Sequence, residues 1–347
     1  MLSALAGMTL VSGAALAGID WDSTSAFQAI AQPAAATQPA DAAAQTTTPA
    51  TEPAKLGSSQ PKAMYLLSPD KFTSDEKVGW DGFLTGLRGF EHFYAPIGDP
   101  IYFESPFNNT EVRLLYVWHD FADGCQLNGG TLNILAAQVR VALTERLGFI
   151  ATKDGYSFLN AGALPDGDGW NDLAAGLKYV AYASKEDDFV LTPGVRFQFQ
   201  TGESDVLQNS CFEVSPFISF AKGWDKFHLI GCLTDRIPEG GHKGNNTLQW
   251  DLHADYEVFD GIAPTIELHG VHYLTDGAAA GLNVGGLDYT NLGSGNVAGS
   301  TVIWFGVGAR VKLTPNWSFG AVYEHALTNV NADIMDQRVT LDFIFSW

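Results

Sequence analysis

Residues 247–259 read TLQWDLHADYEVF, and their alternation decides the fold. Leu248, Trp250, Leu252, Ala254, Tyr256 and Val258 fall on one side of an extended chain, and Gln249, Asp251, His253, Asp255 and Glu257 on the other. Successive side chains of a β-strand point to opposite faces, so this strand has one apolar face and one ionisable face. The same period recurs along the chain. Leu191, Val195, Phe197 and Phe199 oppose Thr192, Arg196, Gln198 and Gln200; Ile303, Phe305, Val307 and Val311 oppose Arg310 and Lys312. In the last stretch Val339, Leu341, Phe343, Phe345 and Trp347 face away from Arg338, Thr340 and Asp342.

Working outward, the pattern predicts strands near 111–120, 130–143, 146–158, 171–183, 188–201, 210–221, 226–236, 247–259, 264–275, 300–313, 317–327 and 335–347. Each is long enough to cross a bilayer as a tilted strand, which takes about 9–11 residues. Short connections alternate with longer Gly/Asn/Asp-rich ones, of which 276–299 is the longest. Short turns on one side and long loops on the other describe an all-β, transmembrane, antiparallel up-and-down β-barrel of about 12 strands over residues 111–347. An even count brings both barrel ends to the periplasmic side. A soluble β-sandwich is the competing architecture, but soluble strands usually run about 5–6 residues. Trp118, Tyr156, Trp224, Trp250, Trp317 and Trp347 also gather near strand ends, as an interfacial girdle requires.

Composition narrows the function. The 347 residues carry 19 Lys+Arg against 39 Asp+Glu, a net charge of −20, which excludes a phosphate-neutralising nucleic-acid binder. Cys125, Cys211 and Cys232 have no metal-site spacing and read as isolated apolar side chains, with one bridge possible. Residues 1–17 are uncharged and apolar and end in Ala15-Leu16-Ala17, a signal-peptide pattern. Residues 18–62 read as an Ala/Pro/Thr-rich disordered linker. Residues 63–110 read as a periplasmic lead-in or plug; within them 80–94 (WDGFLTGLRGFEHFY) carry helix-like spacing at Phe83, Leu87 and Phe90.

Two stretches carry a resemblance. Residues 339–347 (VTLDFIFSW) alternate and end on an aromatic, resembling the C-terminal recognition signal of bacterial outer-membrane barrels, with Trp347 where Phe is usual. Residues 140–149 (RVALTERLGF) and 174–179 (AAGLKY) are similar to outer-membrane transporters grouped with a phenol-degradation (MetA-type) pathway. The resemblance implies an outer-membrane channel of a diderm bacterium for small solutes, aromatic ones included, inserted by the barrel-assembly machinery through its last strand.

With the apolar face on lipid, the ionisable face lines the lumen. The expected basic lining is Arg113, Arg140, Lys178, Arg196, Arg310, Lys312 and Arg338; the acidic lining is Glu213, Asp251, Asp255, Glu257, Glu267, Glu324 and Asp342. Basic and acidic walls facing each other would set a transverse field that selects solutes by charge. The alternative is that these charges pair and obstruct the barrel, leaving a non-conducting surface barrel with an adhesive or envelope-structural role. The 276–299 loop is expected to cover the extracellular mouth as mobile surface rather than fold inward. A turn near 260–263 would set His269 opposite Asp255 and Glu267 opposite Glu257, with His253 close by. Lumen walls hold such groups without metals, so no metal or cofactor is expected from them. Residues 166–172 (DGDGWND) lack calcium-loop spacing and read as an acidic surface loop. No nucleophile–base motif points to an enzyme.

Overall fold

The computed structural model describes residues 83–347 apart from 209, 241–242, 279–282 and 329–333. The signal-peptide and linker expectations, and residues 63–82 of the lead-in, lie outside the described residues. Fifteen strand segments form one sheet: β1 (Glu111–Phe121), β2 (Gly130–Ala142), β3 (Leu147–Lys153), β4 (Tyr156–Ala161), β5 (Gly167–Trp170), β6 (Leu173–Tyr179), β7 (Tyr182–Ser184), β8 (Phe189–Phe199), β9 (Glu213–Trp224), β10 (Phe227–Pro238), β11 (Thr247–Tyr256), β12 (Ile262–Tyr273), β13 (Thr301–Thr314), β14 (Trp317–Ala326) and β15 (Gln337–Ser346). β1 pairs antiparallel with β2 and also with β15, from Glu111↔Ser346 to Asp120↔Gln337, so the sheet closes on itself. Segments β3–β4 and β5–β7 are interrupted wall strands, which makes this a closed antiparallel barrel of 12 strands.

The burial pattern is inside out. On β11, Gln249, Asp251, His253 and Asp255 are buried, whereas Leu252 and Tyr256 are 39% and 50% exposed. Leu114, Leu135, Leu177, Ile218, Leu233, Ile266 and Val307 are likewise exposed on their strands. Such a surface is stable only against hydrocarbon, and a closed barrel leaves no unpaired strand edge in that medium. Trp224, Trp317 and Trp347 are exposed at the short-turn end, where aromatic side chains anchor the interface.

The register of the β11–β12 hairpin differs from expectation. Asp251 pairs with His269, His253 with Glu267, and Asp255 with Thr265, so His269 sits beside Asp251 rather than Asp255. The turn tightens around Asp260-Gly261, with Gly261 at φ 73° and a Phe259↔Ile262 bridge. A left-handed glycine reverses the chain earlier than a turn at 260–263 would.

Candidate functional site

The barrel interior is occupied. From Phe83 to Thr110 the chain forms no helix, and its middle passes through the lumen with Tyr94, Ile97, Asp99, Tyr102 and Glu104 at most 1% exposed. The helix-like spacing in 83–94 thus yields irregular backbone: Leu84 N–H donates to Ala142 O, Leu87 N–H to Asn108 O, and Lys312 serves the carbonyls of Glu91 and His92, in place of a helical ladder. Three prolines, Pro96, Pro100 and Pro106, lack N–H donors and lower the demand for acceptors.

Strand cations serve the carbonyls of this segment. Lys312 Nζ donates to the carbonyls of Glu91 and His92 at 2.7 and 2.8 Å. Arg310 Nε donates to Ala95 O at 2.7 Å, and an Arg113 terminal nitrogen to Ile97 O at 3.0 Å. Lys178 Nζ donates to Ser105 O and Phe107 O at 2.9 and 2.6 Å. From the acidic wall, Glu267 accepts the backbone N–H of Ile97 and Gly98 at 2.8 and 2.6 Å. Gln138 and Thr192 complete the cradle, donating to Pro100 O and Pro106 O at 2.5 and 2.6 Å.

The segment's own acids and the strand cations then pair. Glu104 accepts from Arg140 at 2.8 and 3.0 Å and from Lys178 at 2.7 Å. Asp342 is shared by Arg113 and Arg310 at 2.5 and 2.6 Å. Arg338 meets Glu324 and Asp288, both at 2.8 Å. Glu213 pairs with Arg236, a strand cation that alternation could have revealed but whose partner it could not. Asp255 lies between His228 at 2.6 Å and His253 at 3.1 Å, and Tyr94 donates to Glu257.

All fourteen expected lining residues are therefore buried on the inner side, none more than 8% exposed. Arg196 stands apart: none of its guanidinium nitrogens has a hydrogen-bond partner among the described residues, and it lies over the rings of Tyr102 (5.0 Å) and Phe217 (5.5 Å). Asp99, Glu104 and Asp288 were not legible from alternation, because all three lie in irregular segments with no periodicity to assign them a face.

The long β12–β13 loop corrects an expectation. Val284, Leu287, Asp288, Tyr289, Asn291 and Ser294 are buried, so this part folds inward instead of lying over the mouth as mobile surface. Arg236 donates to Leu287 O, and Lys153 to Tyr289 O at 2.8 Å. Tyr289 OH donates to Val206 O at 2.7 Å. Burial works against the Asp288 carboxylate, but the Arg338 guanidinium beside it prevails and holds its pKa below the usual carboxylate range. The three cysteines are free and buried, and burial pushes the loop thiol of Cys211 up to about 12.

The wall is broken beside β2. β2 pairs with β4 through Gly130–Leu135 and with β3 through Val139–Ala142, and at 136–138 the ladder is interrupted. Asp154 bridges part of the gap by accepting the Ala137 N–H at 3.0 Å. Gly155 allows the break: it sits at φ 101°, and a Cβ there would lie 2.4 Å from Leu135 O. Outside the break is a groove of about 790 Å³. Inside is a small cavity of about 30 Å³ against Pro100, Ile101 and Tyr289. Leu115, Ala136, Asp154 and Asn171 line both.

The fold has solved counterparts. An outer membrane channel from Pseudomonas putida F1 superposes with a TM-score of 0.51 at 17% identity, over 73% of this chain and 100% of that one. The fold is that of an outer-membrane barrel. NanC porin matches with a TM-score of 0.45 at 9% identity, covering 69% of this chain and 100% of its own. KdgM porin matches with 0.40 at 12% identity, covering 68% and 99%. The sequence matches no known protein family model and no curated protein. Barrel closure and the apolar exterior together place the chain in the outer membrane of a diderm bacterium.

Proposed function

We propose that the chain is an outer-membrane channel for small solutes, closed at rest by the segment that precedes its first strand and selective through its lumen charges. One observation carries the reading. The 84–110 segment is absent from the barrel sheet and is held mainly by strand side chains, so it can shift without unpairing the wall. Passage is passive, with width and charge rather than turnover setting the rate. Once the segment moves, Arg113, Arg140, Lys178, Arg196, Arg310 and Arg338 line the lumen from β13 round to β8, with Glu324 and Asp342 among them. Glu213, Asp251, Asp255, Glu257 and Glu267 line the wall from β9 to β12. Arg196, without a carboxylate partner among the described residues, is the contact offered to an anionic group on a solute.

A second route is favoured by the break in the wall. The exterior groove and the inner cavity are separated by Leu115 and Ala136, and movement of these two side chains would open a path for an apolar solute between the lipid face and the lumen.

The test is single-channel conductance of the refolded mature chain in a planar bilayer under a salt gradient, alone and with Glu104→Gln. Conductance steps that become more frequent in the variant support a segment-gated channel. Silence from both correctly inserted proteins would instead support a non-conducting surface barrel.

A further inference from the structure

We propose that Asp99, Asp251 and His269, with the amide oxygen of Gln249 as fourth donor, bind a divalent transition-metal ion that pins the lumen segment to the β11–β12 wall. The pinning role rests on the reading of residues 84–110 as a movable segment; the binding site does not.

The donors converge from separate parts of the chain. One ligand atom each from Asp99, Asp251 and His269 lies within 4.8 Å of the other two. Asp99 belongs to the lumen segment, Asp251 to β11 and His269 to β12, where Asp251 and His269 are directly paired across the strands. Gln249, two residues before Asp251, falls on the same strand face. All four are at most 1% exposed.

Charge balance singles this spot out. Glu324 is matched by Arg338, Asp342 by Arg113 and Arg310, Glu104 by Arg140 and Lys178, and Glu213 by Arg236. Asp255 and Glu267 flank His253. Asp99 and Asp251 have no lysine or arginine in salt-bridge range among the described residues. Their only cationic partner among the described residues is the His269 imidazole, which can balance one of the two buried carboxylates and not both.

The imidazole geometry points the same way. His269 Nδ1 lies 2.9 Å from Asp251 Oδ1, while Nε2 faces Glu267 Oε2 at 3.6 Å and Glu324 Oε1 at 3.8 Å. A neutral imidazole carries one N–H. The 2.9 Å contact is a hydrogen bond with the proton on Nδ1, and an ion bound between Nδ1 and Asp251 would take that proton's place, since metal binding needs the neutral imidazole nitrogen. Neighbouring ligands of an ion with bonds of about 2.0–2.1 Å stand roughly 3 Å apart, as the His269 and Asp251 ligand atoms do.

A further polar atom lies beside the group. The Gln249 amide presents its NH2 to Asp99 and leaves its Oε1 buried with no partner, so turning the amide over would offer that oxygen to an ion; Asp251 Oδ2 is likewise buried without a partner. Mixed nitrogen and oxygen donors suit zinc-class ions, whereas calcium and magnesium prefer all-oxygen shells.

Zinc is the probe. The full mature chain, refolded in detergent and stripped with chelator, is titrated with Zn²⁺ and its metal content measured after desalting, with insertion checked by the heat-dependent gel shift of barrels. About one ion per chain is expected, retained by a control such as Asp166→Asn and lost in Asp99→Asn and in Asp251→Asn. Asp99 is outside the wall, so its substitution spares the barrel; its variant keeps the test valid should Asp251→Asn misfold. No bound zinc in folded protein, or zinc unchanged in Asp99→Asn, overturns the site and leaves a shared proton as the counter-cation. Pinning is read by amide exchange at Ile97, Gly98 and Tyr102. Zinc at about 100 times its dissociation constant should slow exchange by up to about 100-fold in the parent and not in Asp99→Asn. Exchange indifferent to zinc overturns the pinning. Neither readout involves solute passage, so failure of the channel reading leaves both intact.

Discussion

Glu104 and Arg140 form a two-point ion pair across the lumen, with Nε and a terminal nitrogen of Arg140 at 3.0 and 2.8 Å from the two carboxylate oxygens. Glu104 belongs to the segment inside the barrel and Arg140 to the wall, so this pair couples one to the other. Lys178, 2.7 Å away, makes the carboxylate the hub of a buried triad.

Removing the Glu104 charge leaves two buried cations facing each other, and breaking such a pair typically costs about 3–5 kcal/mol. Because the wall is held by its own strand ladder, the cost falls on docking of the segment. Glu104→Gln is expected to keep the barrel's gel shift and raise protease access to residues 95–108. Unchanged proteolysis would show that other contacts hold the segment alone.

Arg338→Glu reverses a lumen charge that now meets Glu324 and Asp288. In any conducting state it should move the reversal potential towards cation selectivity, and Arg140→Glu should do the same. A reversal potential equal to that of the parent would remove these side chains from the conducting path.

Acid should release the inward loop late. Asp288 has a folded-state pKa held below its unfolded value by Arg338, so its contribution is complete above the ordinary carboxylate pKa of about 3.9. It is lost as pH falls through the lower, folded value. Loop cleavage by an acid-tolerant protease should stay flat from neutral pH to about 5 and rise only below about 4; Asp288→Asn should be cleaved readily throughout.

The exterior face sets a depth-dependent penalty. Leu252, midway along β11 and 39% exposed, replaced by Arg should cost about 2–4 kcal/mol in lipid vesicles. Tyr256→Arg, at the turn end of the same strand, should cost only about 0–1 kcal/mol from its depth, apart from the loss of the ring. Equal costs would move the bilayer relative to the strand.

Filling the wall break separates the two routes. Ala136→Trp places bulk where groove and cavity meet. Uptake of an apolar solute into proteoliposomes should fall at least severalfold while ion conductance is retained. Equal losses of both would merge the routes into one.

Sequence alone determined the barrel. A period of two over twelve stretches fixes which side chains face lipid and which face inward, because the bilayer tolerates no other arrangement of these residues. Every expected lining residue from Arg113 to Asp342 is accordingly buried. What fills the lumen was a tertiary decision. Residues 95–110 and 284–294 have no periodicity, and the helix-like spacing of 83–94 forms no helix, so nothing local says whether these segments cover the barrel or enter it. They enter because the buried cations and acids of the wall need partners, and the carbonyls of 91–107, Glu104 and Asp288 supply them. The β11–β12 register was likewise decided by backbone geometry at Gly261, and it moved His269 from Asp255 to Asp251. Alternation assigns a face to each residue, but a turn and a closed sheet decide which residue stands opposite.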